Sequence, residues 1–163
     1  NLYIVAGRPS MGKTSLAAQV ALTAAKQGAS VGVISMEMSR SELTRRLLAV
    51  EGENISLKNL TQGGISPQGW KSLADAAGNL TPLKLFFLDE GYITSESLRV
   101  KTRKLKRQHG LDLLVVDYLQ LLNAGKKSES RVADMTEISR GLKLLAKELK
   151  LSLIHISEPT RPY

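Results

Sequence analysis

The sequence predicts an α/β fold in which helices flank a mostly parallel sheet, and three observations lead there. Five apolar runs alternate with stretches of helical periodicity, the order expected when each strand is followed by a crossover helix. Three of those runs are followed at once by an acid, Glu37, Asp89 or Asp117, as when a buried parallel strand delivers a carboxylate to the C-terminal edge of a sheet. The turn from the first run into the first helix, Gly7 to Thr14, carries glycines at both ends of a four-residue spacer.

In chain order, the strands are expected at Leu2 to Ala6, Val31 to Met36, Leu83 to Leu88, Leu111 to Val116 and Leu151 to Ile156. Lys13 to Gln27 is alanine-rich and is followed by Gly28, a residue suited to a helix C-terminus. Ser39 and Glu42 have the spacing of a capping box and start a helix through about Val50. Glu51 to Gly64 is less regular. Pro67 after Ser66 suits a first helical turn, with Trp70, Leu73, Ala74 and Ala77 as its apolar face and Gly78 as its end. Thr94 or Ser95 caps a helix to His109, closed by Gly110; Val132 to Leu149 repeats apolar residues at Ile138, Leu142, Leu145 and Leu149. No internal repeat, low-complexity tract or inter-domain linker interrupts this order.

The 163 residues suit one domain able to bury a core without cross-links. The absence of cysteine excludes a disulfide scaffold and a thiolate zinc site and accords with a reducing, cytoplasmic setting. A formal charge of +8 favours a polyanionic partner, though only weakly. No apolar run is long enough to cross a bilayer, and no basic-then-apolar leader opens the chain, so no membrane partner is expected.

Gly7-Arg8-Pro9-Ser10-Met11-Gly12-Lys13-Thr14 fits G-x-x-x-x-G-K-[ST], the Walker A phosphate-binding loop. The glycines allow a tight turn whose N–H groups, with the N-terminus of the following helix, face a polyphosphate. Lys13 is placed to reach the β- and γ-phosphates, and the Thr14 hydroxyl to ligate Mg²⁺. Asp117, after Leu113-Leu114-Val115-Val116, is the leading candidate for a Walker B metal carboxylate; Asp89 competes for that role. Glu37, after Val33-Ile34-Ser35-Met36, is the candidate base, provided its strand lies beside that of Asp117; otherwise it is an exposed acid opening a loop. His109 and His155 do not suggest chemistry.

These segments together resemble the hexameric replicative DNA helicases of the DnaB type, in their C-terminal motor domain. The resemblance runs from about Asn1 to Lys150 through residues 7 to 14, Ser-Met-Glu-Met-Ser at 35 to 39, Val-Val-Asp-Tyr-Leu-Gln-Leu-Leu at 115 to 122 and Glu-Ile-Ser-Arg-Gly-Leu-Lys-Leu-Leu-Ala-Lys-Glu-Leu at 137 to 149. It implies a RecA-like P-loop NTPase core and an ATP-driven, Mg²⁺-dependent helicase. It further implies a homo-hexamer that encircles one DNA strand, translocates 5′ to 3′ and binds nucleotide between subunits, with a primase and a helicase loader as further partners. On it, Glu37 is the catalytic glutamate, Lys13 and Thr14 the phosphate and metal ligands, and Asp117 the Walker B acid.

The same resemblance places the loop Asn123 to Arg131 toward the central channel, which makes Lys126, Lys127 and Arg131 candidate contacts to single-stranded DNA; a merely solvated loop is the alternative. Arg99 to Arg107 is more basic, but its charges spread around the helix and no aromatic residues interleave, so it is expected to be mainly a solvated outer face, with a nucleic-acid or subunit contact as the alternative. After Lys150 the chain departs from the family pattern: Ser157 aligns, but Glu158 stands where a glutamine is expected, and Pro159 and Pro162 follow. Leu151 to Tyr163 is therefore expected to be an atypical tail of foreign sequence, and the chain a truncated core that binds nucleotide without unwinding DNA. A RecA- or RadA-type recombinase core, or a ring module that binds nucleotide without hydrolysis, would share the central features.

Overall fold

The computed structural model describes residues 1–8, 11–89, 93–117 and 131–157. The strands are β1 (Leu2–Ala6), β2 (Val31–Ser35), β3 (Leu85–Asp89), β4 (Leu113–Asp117) and β5 (Ser152–Ser157). Between them run α1 (Lys13–Lys26), α2 (Arg40–Glu51), α3 (Leu57–Gln62), α4 (Pro67–Leu80), α5 (Ser95–His109) and α6 (Arg131–Glu148). All strand pairs are parallel, in the order β1-β5-β4-β2-β3. The expected α/β class and parallel sheet are thus what the chain forms.

Alternation along the strands divides the core in two. Val31, Val33, Leu113, Val115 and Ile156 face α1 and α2, where Ala17, Ala21, Ala25 and Leu43 meet them. Ile34, Leu114, Val116 and Leu153 face the other way, against Leu98 of α5 and Ile138, Leu142 and Ala146 of α6. Gly32 permits the close approach of α5: a Cβ there would lie 2.9 Å from a Leu105 methyl. The capping box also forms, with Ser39 Oγ accepting from the Glu42 N–H at 3.3 Å and Glu42 Oε2 accepting from the Ser39 N–H at 2.9 Å.

Several boundaries move. Leu83 is still in a turn, its N–H bonded to the Leu80 carbonyl, so β3 starts two residues later than expected. Leu111 packs into the core ahead of the β4 ladder, which runs on to pair Asp117 with Ser35. The irregular segment contains α3, capped by Ser56, whose Oγ accepts from the Asn59 N–H at 3.1 Å. The apolar face assigned to α4 is wrong by about one residue. Trp70 is 60% exposed, whereas Gly69 and Ala76, seven apart, turn inward, and the helix continues past Gly78 to Leu80. A Cβ on Gly69 would sit 2.9 Å from an Ile65 methyl, so a larger residue is excluded there.

Residues from the segment expected to be foreign supply β5, hydrogen-bonded between β1 and β4. His155 is consequently 2% exposed. Neither ring nitrogen has a hydrogen-bond partner among the described residues. Burial pushes its pKa below the ordinary 6.5, and the adjoining Ile156 backbone, too poorly placed to form a bond, offsets this only in part. The unfolded chain therefore takes up a proton more readily than the folded one, and stability is lost as pH falls below that ordinary value. His155→Leu should stabilise the chain by about 1–3 kcal/mol, by removing unsatisfied buried polar atoms. Urea unfolding at pH 7.5 and pH 5.5 checks this: the variant should be the more stable, by a larger margin at the lower pH.

Candidate nucleotide site

The sheet topology brings three distant segments to one edge. The phosphate loop leaves the C-terminal end of β1, and Gly12 takes φ 79°, a left-handed conformation that glycine adopts without the strain a side chain brings. That turn sets Lys13 and Thr14 at the N-terminus of α1. The Lys13 Nζ donates to the carbonyls of Gly7 at 2.6 Å and Arg8 at 3.0 Å, which folds its stem back across the loop. Gly7 is also tied to the sheet, its N–H bonded to the Ser157 carbonyl.

Asp117 ends β4, a strand whose five residues are all buried. Its Oδ2 accepts a 2.7 Å hydrogen bond from the Thr14 hydroxyl, across 103 residues of sequence. The carboxyl is 2% exposed. Burial raises its pKa above the ordinary 3.8; the Thr14 bond opposes that rise, Glu37 adds to it by like charge, and Lys13 and Arg46 draw it down. A hydroxyl and a carboxylate this close form the hard-oxygen pair that suits Mg²⁺, which commonly takes one or two protein oxygens and fills its shell with water and phosphate.

β2 lies beside β4, with Ser35 in register with Asp117, and the Met36 N–H donates to the Asp117 carbonyl at 2.8 Å. The condition set for Glu37 is therefore met: it stands exposed in the turn just beyond, on the same edge as Thr14 and Asp117. Ser35, which the sequence did not single out, shapes that turn, its Oγ accepting from the Met38 N–H at 2.9 Å. Arg46 of α2 also escaped notice; its guanidinium donates to Ser15 Oγ at 3.3 Å and acts electrostatically on Asp117. Ser35 lies in the 35 to 39 segment but was given no role there, and Arg46 belongs to no motif, so only the fold reveals what each does. Asp89 ends the edge strand β3, in register with Ser35 on the side of β2 away from β4. Pro9, Ser10, Lys126, Lys127 and Glu158 lie outside the described residues, as does the side chain of Arg131.

A lysine- and threonine-bearing loop between the first strand and helix of a parallel sheet, with a strand-end carboxylate bonded to it, defines the P-loop class of nucleotide-binding proteins. Comparison with known proteins narrows the class. The chain belongs to the DnaB-like helicase C-terminal domain family, whose sequence model matches residues 1–162. It is 40% identical over 163 residues to the replicative DNA helicase DnaB of Geobacillus stearothermophilus, covering 99% of this chain and 36% of that protein. It is 39% identical over 162 residues to that of Helicobacter pylori, covering 99% and 33%. The chain thus spans about a third of the length of these relatives. Among solved structures, one described as an ATPase domain superposes with a TM-score of 0.91 at 31% identity, covering 99% of this chain and 58% of that one. A DnaB-like replicative helicase, solved to describe its interactions with primase, also gives 0.91 at 31%, covering 99% and 39%. The fold is therefore RecA-like, as the resemblance implied.

Asp117→Asn should keep the Thr14 bond while removing the charge. Because burial raises the carboxyl pKa, the cost of ionising it is absent at low pH and complete above the raised value. At pH 7 without nucleotide the variant should melt higher, by about 2–4 °C for each kcal/mol gained, and the difference should shrink as pH falls toward 4. Calorimetric scans across that range check both the sign and the pH dependence.

Proposed function

We propose that this chain forms the ATP-hydrolysing motor of a replicative DNA helicase. The observation that carries the proposal is the convergence of Lys13, Thr14, Asp117 and Glu37 on one sheet edge, with Thr14 and Asp117 2.7 Å apart. Gly7, Arg8, Pro9, Ser10, Met11 and Gly12 supply the loop backbone that wraps the phosphates. Lys13 contributes a point charge toward the β- and γ-phosphates, and Thr14 and Asp117 hold Mg²⁺, directly and through water. The ion, when bound, neutralises charge on the phosphate oxygens.

Glu37 lies beyond the metal pair, where its carboxylate takes a proton from water as the water oxygen attacks the γ-phosphorus. The bond from that phosphorus to the bridging oxygen breaks, and ADP and phosphate result. Only activation of water is assigned to Glu37, so it is not needed for nucleotide binding.

The coupled activity rests on the family. Its relatives are named replicative DNA helicases, which supports single-stranded DNA as the track and, with the motifs at 35–39 and 115–122, a ring of six moving 5′ to 3′. One structural neighbour is described with primase, which supports that partner; a helicase loader follows from the same resemblance. No described helix is long and apolar enough to cross a membrane, and the cysteine-free sequence suits the cytoplasm. Lys126, Lys127 and Arg131 are proposed to contact the DNA backbone.

Lys13→Ala should abolish ATP binding or reduce it at least tenfold in calorimetric titration; unchanged affinity and turnover would remove the site assignment. In a full-length relative carrying these residues, Glu37→Gln should leave ATP affinity within about threefold and slow single-turnover hydrolysis about 10²–10⁴-fold. Loss of binding with normal turnover of the bound fraction would make Glu37 structural. In the same protein, Lys126→Ala with Lys127→Ala should weaken single-strand binding alike across sequences and lower the salt slope by about 1.4, at about 0.7 for each phosphate no longer neutralised. An unchanged slope would return the loop to solvent.

A further inference from the structure

The most basic segment of the chain is not used by the nucleotide site. In α5, Leu98 and Thr102 are fully buried. Their burial turns Arg99, Arg103 and Arg107, spaced i, i+4 and i+8, into a single exposed line, with Val100 and Lys104 beside it. Arg99, Arg103, Lys104 and Arg107 are exposed, whereas Lys101 and Lys106 are half-buried and Lys106 donates to the Leu111 carbonyl. Successive members rise about 6 Å along the axis. Val100, Arg103, Lys104 and Arg107 line an open depression of about 400 Å³, and Val100 is 59% exposed.

One carboxylate already occupies this face. Glu148, at the end of α6, accepts from Arg103 Nε at 2.9 Å and from Arg103 Nη2 at 3.0 Å, a two-pronged pairing that an arginine also makes with phosphate. Hydrogen bonding to Arg103 holds the Glu148 carboxyl below the usual carboxylate range, and Arg99 adds to the effect. Lys104 and Arg107 have no ion pair with a described residue.

We propose that the Arg99-Arg103-Arg107 face of α5 is a second nucleic-acid contact, one that grips the phosphate backbone of duplex DNA, with Glu148 as an internal competitor for Arg103. Charge complementarity selects a polyanion. Duplex is favoured over single strand because α5 carries no Phe, Tyr or Trp on which an unstacked base could lie, and His109 at its end has its ring stacked on Phe86, centroids 4.5 Å apart. A backbone contact of this kind carries no sequence preference. It is separate from the nucleotide site and does not depend on ATP hydrolysis.

The test uses the full 163-residue chain carrying Lys126→Ala, Lys127→Ala and Arg131→Ala, so that the proposed loop contacts after β4 are removed, with no nucleotide added. Anisotropy of a short labelled duplex is followed from about 50 to 200 mM salt, where each phosphate left without its arginine should lower the slope by about 0.9. Arg99→Ala with Arg107→Ala should weaken duplex binding at least tenfold at the lowest salt and lower the slope by about 1.8. Glu148→Gln, which releases Arg103, should tighten binding about threefold and steepen the slope. Lys58→Ala with Lys71→Ala removes the same charge from α3 and α4 and should have little effect; an equal loss there would overturn the proposal, since net charge alone would then explain binding. It would likewise be overturned if the arginine pair changed nothing, if Glu148→Gln weakened binding, or if a single strand or polyglutamate bound the arginine face more tightly than the duplex.

Discussion

The hydrogen bond from the Thr14 hydroxyl to Asp117 depends on most of the sheet being correct. Thr14 is placed by β1 and by the left-handed turn at Gly12, and Asp117 by β4, which never pairs with β1. The two meet only because β5 lies between their strands and holds both in parallel register. A one-residue slip of β4 would turn Asp117 to the opposite face and put Val116 in its place. The buried runs of β2 and β4 resist such a slip, since it would exchange residues between two cores of different shape. Packing on both faces therefore sets the electrostatics of the site.

The same burial makes the site costly to the folded chain. Asp117 loses water, and Glu37 stands near it with the same charge, while Lys13 and Arg46 oppose that cost only in part. A carboxylate in such surroundings is poised for a divalent cation, whose charge relieves what burial imposes. Stability is thus lowered where the proposed chemistry needs a charge, as is common at functional sites. His155 is a different case. It is buried in β5 without a hydrogen-bond partner among the described residues, and no part of the proposed chemistry uses it.

Much of this could be read before any coordinates. Gly7 to Thr14 combines a fixed spacing with a strand before and a helix after, and the acids that end apolar runs locate the ligand edge. Asp117 already led Asp89 as the metal carboxylate, although both follow similar apolar runs. Both acids end strands that flank β2, but only Asp117 is bonded to the Thr14 hydroxyl, while β3 lies at the sheet edge on the far side of β2 from β4. The α4 face was misplaced because periodicity favours large apolar residues, whereas the positions that turn inward hold Gly69 and Ala76. Ser35 and Arg46 act through one hydrogen bond each near the site, and a single polar residue leaves no periodic signal.

The central claim is that the phosphate loop and the end of β4 act as one metal-dependent nucleotide site. A double-mutant cycle on Thr14→Val and Asp117→Asn, with ATP affinity measured by calorimetry with and without Mg²⁺, tests it most directly. Mg²⁺ should tighten ATP binding to the parent chain. Each single variant should lose most of that gain while keeping its Mg²⁺-free affinity, and the double variant should lose little more than either single. Additive losses, or a parent chain whose ATP affinity ignores Mg²⁺, would contradict the account.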